Sequence, residues 1–211
     1  MLTEIVFILD RSGSMSGLEK DTIGGFNSLI DKQKQEKGDA IISTVLFDHE
    51  QEVLHDRKDL MNIKPLTEKD YYVRGSTALL DAIGNAIHHI GNVHKYARKE
   101  DVPNKTLFII TTDGMENASR KYTYEKVNKM IKRQQEKYNW EFIFLGANID
   151  AIAVASKMGI SEERAANFIC DEKGTELNYQ VLNEAVAQVR QAKCLKANWK
   201  EQIEKDYKKR K

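Results

Sequence analysis

The stretch Ile8-Leu9-Asp10-Arg11-Ser12-Gly13-Ser14-Met15-Ser16-Gly17 sets one carboxylate and two hydroxyls on alternate residues, directly after the apolar run at 5–9. A turn needs polar residues, but it does not need an acid and two serines at that spacing. Three oxygens so placed can face one point. Two further loops carry matching chemistry. The apolar run 107–111 leads into Thr112-Asp113-Gly114, and Arg74-Gly75-Ser76-Thr77 precedes an amphipathic segment that begins at Ala78. The candidate groups, Asp10, Ser12, Ser14, Asp113 and Ser76 or Thr77, are all oxygens, and these loops contain no cysteine or histidine. Hard oxygen donors select Mg²⁺, Ca²⁺ or Mn²⁺ over zinc or copper. Only two of the groups are formally charged. Neutral hydroxyls would leave much of an ion's charge unneutralised, and such an ion attracts a carboxylate from outside, which is a design for capturing an acidic residue of a partner.

These loops can meet only if the right strands are neighbours. Residues 5–9, 41–47, 107–111, 142–145 and 165–170 read as short strands that are nearly all apolar. Asp48-His49-Glu50 is a tight turn, after which 51–55 reads as an antiparallel edge strand. Residues 18–35, 78–99, 124–138, 149–158 and 175 to the end read as helices. The first carries Ile23, Phe26, Leu29 and Ile30 on one face, and the second has Leu79, Ala82, Ile83, Ala86, Ile87 and Ile90 as its stripe. Apolar strands separated by amphipathic helices indicate a parallel sheet covered on both faces. The expected architecture is a doubly wound, Rossmann-like α/β domain with a mostly parallel six-stranded sheet and one antiparallel edge strand. In the common strand order 3-2-1-4-5-6, strands 1 and 4 flank the point where the order reverses, and ligands bind beyond the strands' carboxyl ends there. That order puts Asp10 and Asp113 in one crevice. The 74–77 loop opens on the same side because it leads into a helix N-terminus. One domain is expected over residues 1–198, with 199–211 a basic extension of the last helix. Trp199, Ile203 and Tyr207, four residues apart, mark an apolar stripe expected to pack on the domain.

Composition narrows the class. With 41% hydrophobic and 31% charged residues in 211, the chain is a globular protein rather than a disordered one, and it suits one substantial domain. No apolar run approaches the roughly 20 residues of a membrane span, and the first one lacks the basic start and the length of a signal peptide's core. A cytoplasmic location is expected, and Cys170 and Cys194 then read as two thiols rather than a bridge or a metal motif. The net charge of +1 argues against a general polyanion binder. Residues 193–211 carry eight Lys or Arg against three acids, a net of +5, which reads as a solvated helix tail.

Together the three loops resemble the metal-ion-dependent adhesion site (MIDAS) of von Willebrand factor type A (VWA) domains. That family carries an Asp-x-Ser-x-Ser loop, here Asp10-Arg11-Ser12-Gly13-Ser14 followed by Met15. It carries a threonine in a second loop, here Thr77 in Gly75-Ser76-Thr77-Ala78-Leu79, and an aspartate in a third, here Asp113 in Thr111-Thr112-Asp113-Gly114. The resemblance extends from the first strand to the last helix. It implies that Ser12, Ser14 and Thr77 bind a metal directly, with Mg²⁺ expected and Mn²⁺ or Ca²⁺ as substitutes. It implies that Asp10 and Asp113 act largely through bound water, Asp113 moving closer when no partner is present. A glutamate or aspartate of a partner protein would complete the octahedron, and in some relatives that event shifts the final helix. Stand-alone bacterial and phage members of the family look most like this chain, which is then a metal-dependent protein-binding module rather than an enzyme.

Other readings compete at each point. Ser12 and Ser14 could be a turn and a helix cap, and Thr77 or Ser76 only the cap of the next helix. Glu116 reads as a solvent-facing loop acid. His88, His89 and His94 are spaced so that no two share a metal, and they read as structural or exposed. Gly24-Gly25 and Gly84 cost helix stability, which close packing on the sheet would explain. The rival function is a metal-dependent hydrolase or phosphatase on the same sheet. Such enzymes usually carry a second acid two positions after the strand-1 aspartate, where this chain has Ser12, and no histidine or lysine joins the loops. Nucleotide binding on a Rossmann-type loop finds no support, because Gly13 and Gly17 do not fit G-x-G-x-x-G and no phosphate-loop lysine motif occurs. No nucleic-acid or membrane partner is indicated, and the oligomeric state is not legible.

Overall fold

Residues Leu2–Asp10 form β1, the central strand of a six-stranded sheet in a computed structural model that describes residues 1–191 and 195–211. Strands β2 (Asp39–Phe47) and β4 (Lys105–Thr112) lie parallel on either side of it and cover its edges, while helices packed on the sheet cover both of its faces. This is why its sequence is continuously apolar instead of alternating. Ile5, Phe7 and Leu9 face one core with Phe26 and Leu29 of α1 (Glu19–Lys34) and Leu182 and Val186 of α5 (Glu172–Arg190). Val6 and Ile8 face the other core with Ile83 and Ile87 of α2 (Leu79–Tyr96) and Val127 and Ile131 of α3 (Tyr124–Tyr138). The sheet continues through β5 (Glu141–Gly146) to β6 (Ala165–Asn167). On the other side β3 (Gln51–Asp59) runs antiparallel at the edge, giving the order β3-β2-β1-β4-β5-β6. The doubly wound α/β architecture and the strand order expected from the sequence are thus the observed ones. Helix α4 (Ala151–Lys157) crosses between β5 and β6. Among the described residues no helix is long and apolar enough to cross a membrane.

Three elements depart from the sequence reading. The edge strand runs to Asp59 rather than to residue 55. Its outer half reads Asp56-Arg57-Lys58-Asp59 and is polar because one face meets solvent. Arg57 sits at φ 49° beside a register shift and pairs with the buried Glu4 of β1 (Nε–Oε1 2.8 Å). The last strand ends at Asn167, not at residue 170, because Asp171 caps α5 by accepting from Gly174 N (2.8 Å) and the chain must turn first. The single terminal helix is in fact two. α5 stops at Arg190, whose buried guanidinium is taken by the carbonyls of Gln33 and Gly38. After a one-turn segment at Ala197–Lys200, α6 (Glu201–Arg210) begins. That turn is fastened to the β6 edge. Lys200 Nζ donates to the carbonyls of Glu162 (2.7 Å) and Ala165 (2.8 Å), and Trp199 Nε1 donates to that of Glu163 (2.8 Å). A straight helix, rising about 1.5 Å per residue, would have carried these groups off the sheet. Trp199 and Ile203 are buried in the core shared with α1 and α5. Cys194 lies outside the described residues.

The paired glycines of α1 divide in role, and the close approach is to a helix rather than to the sheet. A Cβ on Gly25 would meet the Tyr179 ring of α5 at 2.1 Å, whereas one on Gly24 would meet nothing within 4 Å. Gly84 of α2 likewise admits the Tyr122 ring. Gly25→Ala is therefore expected to destabilise the fold by about 1–3 kcal/mol through overpacking. Gly24→Ala should stabilise it by about 0.5–1 kcal/mol through helix propensity. Urea unfolding of both variants reads the difference, and equal shifts would refute the packing account.

Candidate metal centre

At the carboxyl end of the sheet, β1 stops at Asp10 and β4 at Thr112, with Leu9 opposite Thr111 in the register. The parallel pairing brings Asp10 and Asp113 to the same edge, and both are buried. Asp10 Oδ1 accepts from the Ser12 N–H (2.7 Å), which bends the loop sharply back. Its Oδ2 accepts from Thr112 Oγ1 (2.5 Å). Ser12 Oγ and Ser14 Oγ are 3.1 Å apart, and Ser14 Oγ donates to Asp113 Oδ1 (2.5 Å). The remaining Asp113 oxygen receives the Cys170 thiol (3.6 Å) from the β6–α5 connection.

Thr77 joins the same cluster, while Ser76, the other residue left open by the sequence, is exposed. The space over Gly114 shows where the hydroxyls converge. A Cβ built there would lie 3.1 Å from Ser14 Oγ, 3.1 Å from Thr77 Oγ1 and 3.9 Å from Ser12 Oγ. Three hydroxyls from two loops therefore face one small space that the absence of a side chain keeps open. Thr77 is not spent on capping α2. That end is satisfied by Glu116, which accepts from Leu80 N (2.8 Å), and by Ser119 Oγ, which accepts from Asp81 N (3.0 Å). Glu116 also accepts from Ala118 N, Ser119 N and Ser119 Oγ, so it is a structural acceptor rather than the solvent-facing acid its sequence position suggested.

The electrostatics of the site follow from burial. Desolvation pushes the Asp10 carboxyl up from 3.8 to about 6, with a smaller upward push from Asp113, against the lowering effect of the Thr112 and Ser12 hydrogen bonds. Burial raises Asp113 too. It also raises the Cys170 thiol to about 12, Asp113 adding to the effect. Among the described residues neither aspartate forms an ion pair, although an arginine adjoins one of them in sequence. Arg11 turns away. Its fully buried guanidinium meets Asp48 (Nε–Oδ2 2.7 Å) and Glu52 (Nη1–Oε2 2.8 Å).

Asp48 is the residue the sequence reading missed. In sequence it reads as part of a tight turn, and it does accept from the Glu50 N–H (2.9 Å), but it also ties the site loops together. Its Oδ2 holds Arg11 and Arg74 (2.9 Å), and its carbonyl accepts from the Ala78 N–H (2.7 Å) beside Thr77. Backbone bonds complete the brace, from Gly13 N to Gly75 O (3.0 Å) and from Arg74 N to Arg11 O (2.9 Å). From beneath, the buried Tyr71 hydroxyl donates to the Asp10 carbonyl (2.5 Å). One signal was available: Leu46-Phe47-Asp48 repeats the apolar-then-Asp ending of β1. His49 adjoins this brace, with its Nδ1 2.9 Å from Asp48 Oδ1 and its ring against Gly75, but His88, His89 and His94 take no part. His88 pairs with Asn92, His89 with Asp56 and His94 with Glu4. Among the described residues no three His, Cys, Asp or Glu side chains form a metal-holding group, so any ion here must rest largely on hydroxyls.

No protein-family model and no curated protein matches the chain. Solved structures match it in fold. One is proximal thread matrix protein 1 from the mussel byssus, at 14% identity and a TM-score of 0.59 over 88% of this chain. Another is the D319A mutant of the PilB minor pilin from Streptococcus sanguinis, at 11% and 0.59 over 90%. A third is a von Willebrand factor type A protein from Catenulispora acidiphila, at 13% and 0.56 over 88%. The chain spans 46%, 62% and 42% of the lengths of those three chains. The likeness is one of architecture: this is a VWA-like fold.

Two outcomes are expected from the site's electrostatics. The unfolded chain releases the Asp10 proton near 3.8 and the folded, metal-free chain keeps it up to about 6. Stability in EDTA therefore falls as pH rises through that window. Asp10→Asn should flatten the fall and melt no lower than the parent at neutral pH, as thermal melts across the window will show. Asp48→Ala leaves Arg11 buried with only the half-exposed Glu52, and should cost about 3–5 kcal/mol in urea unfolding. A loss under about 1 kcal/mol would mean the brace is not what holds the loops.

Proposed function

We propose that the chain is a metal-dependent protein-binding module, in which a divalent cation held by Ser12, Ser14 and Thr77 together with Asp10 and Asp113 captures a glutamate or aspartate of a partner protein. The observation that carries this reading is the pairing of two buried carboxyls, which meet no cationic side chain among the described residues, with three hydroxyls converging on the space over Gly114. Two carboxyls pushed upward by burial are a standing cost that a bound cation would relieve. The donor set is all oxygen, which suits Mg²⁺ and, less selectively, Mn²⁺ or Ca²⁺. When bound, such an ion supplies an electrophilic site for an incoming carboxylate.

The residues of this chain do the positioning. Thr112 and the Ser12 N–H fix the two oxygens of Asp10, and the Asp48 brace sets the spacing between the Ser12–Ser14 loop and Thr77. A hydrolase or phosphatase is the alternative function. It would need a base or nucleophile beside the metal, and position 12, where a second acid would serve, holds a serine whose hydroxyl is turned to Ser14. That arrangement supports binding over catalysis.

The test is a thermal melt in EDTA and then in millimolar Mg²⁺, Mn²⁺ or Ca²⁺. At a hundredfold excess over Kd, binding to the folded state alone is worth about 2.7 kcal/mol, a rise of about 5–11 °C for a chain of this size. Asp10→Ala and Asp113→Ala should remove the rise while remaining folded by circular dichroism. A parent that shows no rise with any of the three ions overturns the metal reading. A partner that stays bound to the immobilised protein in EDTA overturns the capture reading.

A further inference from the structure

At the opposite end of the sheet a cavity of about 770 Å³ lies between the C-terminal half of α2 and α3. Pro103, which precedes β4, and Trp140, which precedes β5, both line it, so it sits at the amino ends of the parallel strands, away from Asp10. Small-molecule sites occupy roughly 300–1,000 Å³ and combine apolar walls with a few polar groups. Here the buried wall is Trp140, stacked on Phe108 with ring centroids 5.3 Å apart and met edge-on by His94 at 5.3 Å. Tyr138, more than half exposed, stands at the margin.

The charge around the cavity has one sign. Lys95 and Arg133 line it, and among the described residues no carboxylate does. The nearest buried acid, Glu4, is already held by His94 (2.5 Å) and Arg57 (2.8 Å). Lys95 donates to the Tyr96 hydroxyl, and among the described residues neither Lys95 nor Arg133 has an ion-pair partner. Cations without counter-charges beside an aromatic wall complement a ligand that is flat and negative.

We propose that this cavity binds a small planar aromatic anion, its ring against Trp140 and Tyr138 and its anionic group between Lys95 and Arg133. Aromatic carboxylates and nucleoside monophosphates share that chemistry. The site is independent of the metal reading and stands or falls without it.

The test is fluorescence titration of the full chain with 8-anilinonaphthalene-1-sulfonate, a planar aromatic sulfonate. Saturable binding at one site per chain is expected. The double variant Lys95→Glu/Arg133→Glu should weaken it about tenfold or more, since two attractive contacts become repulsive. Lys208→Glu/Lys209→Glu on α6, matched in charge, should leave it unchanged. If circular dichroism shows the first variant unfolded, Lys95→Gln/Arg133→Gln replaces it. AMP and salicylate are then competed against the bound dye, with neutral adenosine as control. Displacement by AMP identifies a phosphate-bearing ligand, and displacement by salicylate a carboxylate. The proposal is overturned by non-saturable binding, by equal loss in both charge-reversal variants, by displacement with neither anion, or by adenosine competing as well as AMP.

Discussion

The ion pair between Arg11 and Asp48 is buried completely, and the geometry of the carboxyl edge of the sheet hangs on it. Arg11 lies in the loop that carries Ser12 and Ser14. Asp48 directly follows β2, and its carbonyl accepts from the residue after Thr77. One carboxylate thus joins two loops that are distant in sequence. The pair is costly to desolvate, and its own net contribution to stability is small. Its value lies in specificity, because a guanidinium and a carboxylate with so many directed partners accept few alternative arrangements. Tyr72 adds to this, with Arg11 and Arg74 both lying over its ring at 5.2 and 5.7 Å.

The same pair explains how two aspartates come to be buried without counter-charge. A free arginine beside Asp10 would neutralise it and close the site. Here the positive charge at position 11 is consumed elsewhere, and among the described residues the carboxyls of Asp10 and Asp113 keep hydroxyl, thiol and backbone partners. Gly114 matters for a related reason. A side chain at that position would fill the space on which Ser12, Ser14 and Thr77 converge. The site is therefore shaped as much by what is withheld, a cation and a Cβ, as by the donors present.

The two ends of the sheet have different characters. The carboxyl end presents oxygens and buried acids, and the amino end, between α2 and α3, presents an aromatic wall with Lys95 and Arg133, which among the described residues have no ion-pair partner. A parallel sheet makes this separation natural. For the parallel strands, β-to-α connections leave at one end and α-to-β connections return at the other, so each end can acquire its own chemistry while the cores on both faces stay apolar.

The sequence by itself determined the order of elements and the two-faced core, because continuous apolar strands and 3.6-residue stripes are local signals that burial on both sides makes unambiguous. It also marked Asp10, Ser12, Ser14, Asp113 and one of Ser76 or Thr77 as one group, since each follows a strand or opens a helix on the same side of such a sheet. Other features were decided only in three dimensions. The polar half of β3 reads as loop until Glu4 reaches across to Arg57, and the break before α6 is set by the fit of Trp199 and Lys200 to the β6 edge. The choice of Thr77 over Ser76, the capping duty of Glu116 and the brace at Asp48 follow the same rule. Each depends on a partner dozens of residues away. No local pattern records which of several polar loop residues will find one, because the cost of leaving a buried polar group unpaired is settled only when the chain has packed.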